Sequence, residues 1–213
     1  MSIMNQGEYN CPTCETALRI DVYSSINVDR DPELKASVLN GKINSALCSG
    51  CGKKIVINQP ILYHDMTNNY VIFYIPEHVD PHEHIKASEI FPFFGDYTMR
   101  YVTRLPELVE KINIFDHRLN DIAIQLIKMN FFNNETFNID GSIQDIFFIG
   151  QRENLMGFRV INNNDKFQTV TIEREHYTPI FDSLKQLDIL NPDSDQCIYV
   201  TNDYLLKLLR PYM

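Results

Sequence analysis

The sequence predicts an α+β fold, and three observations carry that expectation. Short runs with period-two alternation, such as Leu18, Ile20 and Val22, recur in both halves of the chain. Between them lie stretches with helical spacing, the strongest holding Leu108, Val109, Ile112 and Phe115 on one face. Two Cys-x-x-Cys pairs, Cys11/Cys14 and Cys48/Cys51, fall among the N-terminal strand-like runs. Together these predict an N-terminal zinc-ribbon-like antiparallel sheet with a helical insertion, a helical middle segment and a small α+β C-terminal unit.

Taken in order, the first cysteine pair leads into the Leu18–Val22 strand. Asp31-Pro32 reads as an N-cap with proline at the first helical position. That helix carries Leu34, Val38 and Leu39 and stops at Asn40-Gly41. Lys42 to Leu47 reads as a strand running into the second pair. Gly52, directly after Cys51, allows a positive φ and lets backbone N–H groups face the thiolates. Ile55-Val56-Ile57 is the outgoing strand. Ile61 to His64 and Tyr70 to Ile75 then flank a polar hairpin turn at Asp65-Met66-Thr67-Asn68-Asn69.

Glu77 to Gly95 is irregular, and Met99 to Thr103 reads as a strand. The helical text from Leu105 continues through Leu119, Ile122, Ile124, Leu126 and Ile127, as two helices or one broken near Phe115-Asp116. The Asn-rich stretch from Asn130 to Asn138 marks a boundary between residues 1–130 and 131–213. Beyond it, Ile143 to Ile149, Phe158 to Ile161 and Phe167 to Ile172 read as strands, with a turn at Asn162-Asn163-Asn164-Asp165. Tyr177 to Leu190 and a last helix capped by Thr201 or Asn202 complete the tail.

Composition narrows the function classes. The 213 residues carry a net charge of -9, which repels phosphate backbones, and Lys53-Lys54 is too small a basic cluster to offset it. Nucleic acid is therefore disfavoured and a protein partner favoured; a homodimer is compatible with the leucine-rich last helix. No run approaches the roughly eighteen apolar residues of a membrane span. Met1 to Tyr9 is polar and lacks the regions of a signal peptide. Five cysteines, with Cys197 outside the pairs, read as reduced thiols of a cytoplasmic protein rather than a secreted disulfide framework.

Cys11, Cys14, Cys48 and Cys51 are the candidate ligands of one Zn2+ ion. Four thiolates leave no open position for water, so the expected role is structural, not catalytic. The 33 residues between Cys14 and Cys48 exceed the spacing of simple ribbons, which the inserted helix accounts for. Other ligand-type residues cluster at Glu77, His78, Asp80, His82, Glu83 and His84, without His-Glu-x-x-His spacing. His64-Asp65 could act as an acid–base pair, although strand neighbours point to opposite faces and a role in the turn is favoured. A hydrolase using His64 and Asp65 or the His78–His84 loop is thus the enzymatic alternative. An accessory nucleic-acid-binding ribbon is the other. Phe91, Phe93, Phe94, Tyr97 and Tyr101 could form a binding patch, but core packing or a lid on the sheet is favoured. No Gly-rich phosphate loop and no Gly-x-Ser-x-Gly nucleophile motif is present.

These residues resemble the CpXC family, named for a Cys-Pro-x-Cys motif that Cys11-Pro12-Thr13-Cys14 matches literally. Val22 to Val28, Asp31-Pro32-Glu33-Leu34, Leu62-Tyr63-His64-Asp65 and Glu107 to Ile112 with Phe115-Asp116 are similar to its pattern. The likeness runs from Cys11 to Lys128. The second pair, Cys-Ser-Gly-Cys, lacks the proline often found there. The resemblance implies a zinc-ribbon-like domain and no particular activity.

Overall fold

A computed structural model describes residues 1–81, 85, 97–133, 142–164, 166–191 and 196–212. Its class is α+β, and it divides into two compact units: Met1–Leu105 with Asp195–Cys197, and Pro106–Ser194 with Ile198–Met213.

The first unit holds β1 (Ile3–Asn10), β2 (Ala17–Asn27), α1 (Glu33–Leu39), β3 (Ser45–Leu47), β4 (Lys54–Val56), β5 (Ile61–Asp65), β6 (Tyr70–Tyr74) and β7 (Thr98–Val102). Five strands form one sheet in the order β1-β2-β5-β6-β7, and β3 and β4 form a separate hairpin. The large sheet is mixed rather than antiparallel throughout. β1/β2 and β5/β6 are antiparallel, whereas β2/β5 and β6/β7 are parallel. A parallel neighbour needs a long crossover, and the chain between β2 and β5 supplies it with α1 and the β3–β4 hairpin.

β6 is buried along its whole length because both faces are covered. Val71 and Phe73 pack with Ile75 and Met99 on one side. Tyr70 stacks on Tyr63 at 6.0 Å. β1 is the opposite case, an exposed edge strand with few apolar residues. Its backbone pairing with β2, from Met4↔Tyr23 to Asn10↔Ala17, holds it, which is why side-chain alternation did not announce it. Asp31 does not cap α1 with its side chain; its carboxylate accepts the Ser2 N–H at 3.2 Å. The helix does end at Asn40, with Gly41 at φ 61.

The second unit holds α2 (Leu105–Asp116), α3 (Asp121–Asn133), β8 (Ile143–Arg152), β9 (Leu155–Asn162), β10 (Phe167–Glu173), α4 (Tyr177–Gln186) and α5 (Asn202–Leu209). Its three strands form an antiparallel meander with β9 at the centre. Ile122, Ile127 and Phe131 of α3 join Phe148, Phe158, Val160 and Leu205 in one apolar core. The helical text does break, with Arg118 at φ 53 between α2 and α3. Asn120 fixes the break: its Oδ1 accepts the Ala123 N–H at 3.0 Å, and its Nδ2 donates to the Leu190 carbonyl at 2.8 Å. Thr201 caps α5 by accepting the Tyr204 N–H at 3.1 Å.

The compact units part between Leu105 and Pro106, while the sequence boundary at 130/131 groups most of α2 and α3 with the cysteine-bearing half. Asn130 to Asn133, the start of the Asn-rich boundary stretch, continue α3; residues 134–141 lie outside the described ones. The apolar faces of α2 and α3 serve the meander's core, as Ile114, Ile122 and Ile127 show.

Candidate metal centre

The two cysteine pairs sit at the turns of two hairpins, Cys11–Cys14 between β1 and β2 and Cys48–Cys51 between β3 and β4. Their backbones repeat each other. In the first hook the Glu15 N–H donates to the Cys11 carbonyl at 2.8 Å, and the Cys11 N–H donates to the Thr16 carbonyl at 3.0 Å. In the second, Gly52 N–H donates to Cys48 at 2.8 Å and Cys48 N–H to Lys53 at 2.8 Å. Glu15 (φ 59) and Gly52 (φ 70) hold the same left-handed position after each second cysteine. The expectation of a positive φ at Gly52 holds, while its own N–H closes the turn on a carbonyl.

Asn44 brings the second hairpin to β2. Its side-chain amide copies a strand pairing, accepting the Tyr23 N–H at 2.7 Å and donating to the Tyr23 carbonyl at 3.0 Å. Beneath the hooks Cys11 and Cys48 are buried with Ile20, Val22 and Ile55, while Cys14 and Cys51 are exposed. The four sulfurs lie within 4.8 Å of one another. Cys14 and Cys48 approach to 3.5 Å and Cys11 and Cys51 to 3.7 Å. A tetrahedral ion with metal–sulfur bonds of about 2.3 Å separates neighbouring sulfurs by about 3.8 Å, so the donor set fits one.

Backbone amides turn toward these sulfurs. The Thr13 amide, helped by that of Cys14, lowers the Cys11 pKa. The Thr16 hydroxyl, 3.3 Å from Cys14 Sγ, and the Thr16 amide bring Cys14 down to about 6. The Lys53 amide also acts to lower Cys51, but desolvation of its sulfur and three neighbouring thiols outweigh it and push the group up to about 12. Negative charge gathered on sulfurs this close is self-repelling. A bound cation removes that penalty.

Thr16, Glu15 and Gly50 escaped the sequence reading. A Cβ on Gly50 would collide with Thr16 Oγ1 and lie 3.2 Å from Cys14 Sγ. The signal was the repeated six-residue hook, whose equivalent positions pair Glu15 with Gly52 and Thr16 with Lys53.

Among the described residues, the remaining candidates form no second metal-ligating group. Asp65 organises the β5–β6 turn, accepting the Asn68 N–H at 2.9 Å and lying 3.6 Å from Lys35 Nζ. His64 points to the other face, its ring 5.3 Å from that of Tyr97. Burial lowers the His64 pKa, although Asp29 and Asp65 oppose this. Glu77 and His78 line an open cleft of about 400 Å³ with Asn58, Tyr74, Thr103, Arg104 and Leu105. His82, Glu83, His84, Phe91, Phe93 and Phe94 lie outside the described residues. Tyr97 and Tyr101 pack against the Val71–Met99 cluster together with Cys197. Burial pushes the Cys197 thiol up to about 12, with Arg100 opposing. Among the described residues, only the four hook cysteines form a group able to hold a metal ion. Among the described residues, no helix is long and apolar enough to cross a membrane.

The family model described as CpXC protein matches residues 9–128, more than half of the chain. No curated protein and no solved structure matches it.

Proposed function

The chain belongs to the CpXC family, and from that premise we propose that Cys11, Cys14, Cys48 and Cys51 hold one structural Zn2+. The observation that carries this reading is the pair of matching hooks that bring four sulfurs within 4.8 Å. Thiolates suit zinc among the common divalent ions. When bound, the ion supplies a cross-link between the β1–β2 and β3–β4 hairpins, and four protein ligands leave it no position for a substrate. This chain's own contribution is to aim amides of Thr13, Cys14, Thr16 and Lys53 at the sulfurs and to bury Cys11 and Cys48.

We further read the protein as a cytoplasmic interaction or scaffold module whose partner is another protein. The net charge of -9 supports this over nucleic acid. Metal analysis of the purified chain tests the centre: one zinc per wild-type chain, and none in Cys48→Ser together with loss of native structure in the N-terminal unit. A Cys48→Ser chain that still carries one zinc overturns the assignment. Partner capture that depends on the metal-loaded form supports the scaffold reading, and salt-sensitive binding to DNA or RNA defeats it.

A further inference from the structure

The same cage has a second chemistry. It rests on the reading of the four cysteines as one site, but not on which metal they hold. Two close sulfur contacts run between hooks, Cys14 to Cys48 at 3.5 Å and Cys11 to Cys51 at 3.7 Å. Each of these pairs joins an exposed cysteine to a buried one. A peroxide arriving from solvent therefore meets Cys14 or Cys51 first, with a buried thiol beside it to finish the reaction. We propose that the cage is an oxidation site for hydroperoxides, which convert it to two disulfides that cross between the hooks, Cys14–Cys48 and Cys11–Cys51.

Each step balances. The exposed thiolate attacks a peroxide oxygen, the O–O bond breaks, and a sulfenic acid forms while the departing hydroxide takes a proton to become water. The neighbouring thiol then attacks the sulfenic sulfur, the S–S bond forms, and a second water leaves. Two thiols lose two electrons, which one hydrogen peroxide accepts. Two peroxides oxidise all four sulfurs, and a bound divalent ion is released unchanged. The products replace one fastener with another, because both disulfides still tie the β1–β2 turn to the β3–β4 turn. Disulfides confined to single hooks would leave the hairpins unlinked. Bridging requires the sulfurs to close from 3.5–3.7 Å to about 2.05 Å, a movement that small shifts of the side chains and turns can supply.

Tryptic mapping under non-reducing conditions reads the outcome directly. Cleavage after Arg19, Lys42 and Lys53 places the first hook in residues 1–19 and the second in residues 43–53. The full chain, as purified and after chelation, is treated with hydrogen peroxide, with a Cys197→Ala chain in parallel to remove the fifth thiol. The expected product is a linked pair of these two peptides, with fragmentation locating Cys14–Cys48 and Cys11–Cys51, and reversal by dithiothreitol restoring zinc uptake. Two separate peptides, each lighter by two hydrogens, or sulfinic acids at Cys14 and Cys51, overturn the proposal. The two readings fail separately. A chain that never takes zinc but forms the linked pair defeats the metal assignment alone; a zinc-loaded chain that gives unlinked peptides defeats this one alone.

Discussion

Glu15 and Gly52 occupy one equivalent left-handed position in the two hooks, at φ 59 and φ 70. A residue with a Cβ pays roughly 1–2 kcal/mol for that conformation, and glycine does not. The first hook is therefore strained where the second is relaxed. Glu15→Gly should stabilise the N-terminal unit by up to about 1 kcal/mol, and Gly52→Ala should destabilise it by about 1 kcal/mol or more. Thermal melts of the metal-loaded chains measure both; opposite signs are the expected result.

Gly50 is held small by its neighbours rather than by its backbone angle, since an added Cβ meets Thr16 Oγ1 and Cys14 Sγ. Gly50→Ala should push Thr16 away from Cys14 and lower metal affinity by about ten-fold, the scale of losing a hydrogen bond that supports a ligand. Removing the obstructing side chain, in Gly50→Ala/Thr16→Ala, should recover part of the affinity that Gly50→Ala loses. Competition with a chromophoric chelator gives the three affinities.

The cysteine spacing and the alternating runs were legible because each rests on a local pattern. Leu18, Ile20 and Val22 lie on β2, and Asp65 to Asn69 form a turn, with Asn69 at φ 53. β1 was not legible, because an edge strand needs only backbone pairing and Met4 to Asn10 carry mostly polar side chains. Asn44 was not legible either. Its value lies in reaching Tyr23, 21 positions earlier, and no local pattern encodes such a partner. Nor did Glu110 and Lys128 look unlike surface charges, since helical spacing does not say which polar residues are buried.

Asp29 gives the first unit an acid-sensitive latch. Its carboxylate accepts the Met66 N–H at 2.6 Å and the Thr67 N–H at 3.1 Å, and also takes a hydrogen bond from the Thr67 hydroxyl. The hydroxyl, then the two amides, hold its pKa below the usual aspartate value. A carboxyl depressed in the folded state stabilises fully above its unfolded pKa of about 3.9 and loses that contribution as pH falls through the folded value. Asp29→Asn should therefore lower stability at pH 7 and flatten its dependence on pH below about 4. Urea midpoints of both chains between neutral and acid pH test it, and parallel curves would refute the latch.

Glu110 and Lys128 form a buried pair in the second unit. Lys128 Nζ donates to both Glu110 oxygens at 2.8 Å, and the Phe148 N–H donates to Oε1 at 2.7 Å. Removing either charge strands the other in an apolar surrounding. Glu110→Gln or Lys128→Met alone should cost about 3–5 kcal/mol. The double variant should cost clearly less than the sum, with a coupling of about 2 kcal/mol, at the upper part of the range for residues in contact. Chemical denaturation of the four chains closes the cycle, and additive losses would show that the pair is not coupled.

Metal removal should divide the molecule's stability along its compact units. The hooks stand on a small apolar cluster of Cys11, Ile20, Val22, Cys48 and Ile55, and Asn44 ties the β3–β4 hairpin to β2. The second unit has a core of its own around Phe148 and Phe158 with no hook cysteine in it. Structural zinc contributes about 10–16 kcal/mol of apparent free energy in small zinc-folded domains, so removing the proposed ion should act almost wholly on the first unit. Hydrogen exchange after chelation should show lost protection in β3, β4 and the start of β2, while α3 and β9 keep theirs. Simultaneous loss in both units would mean that the metal supports the whole chain rather than the hairpins that carry it.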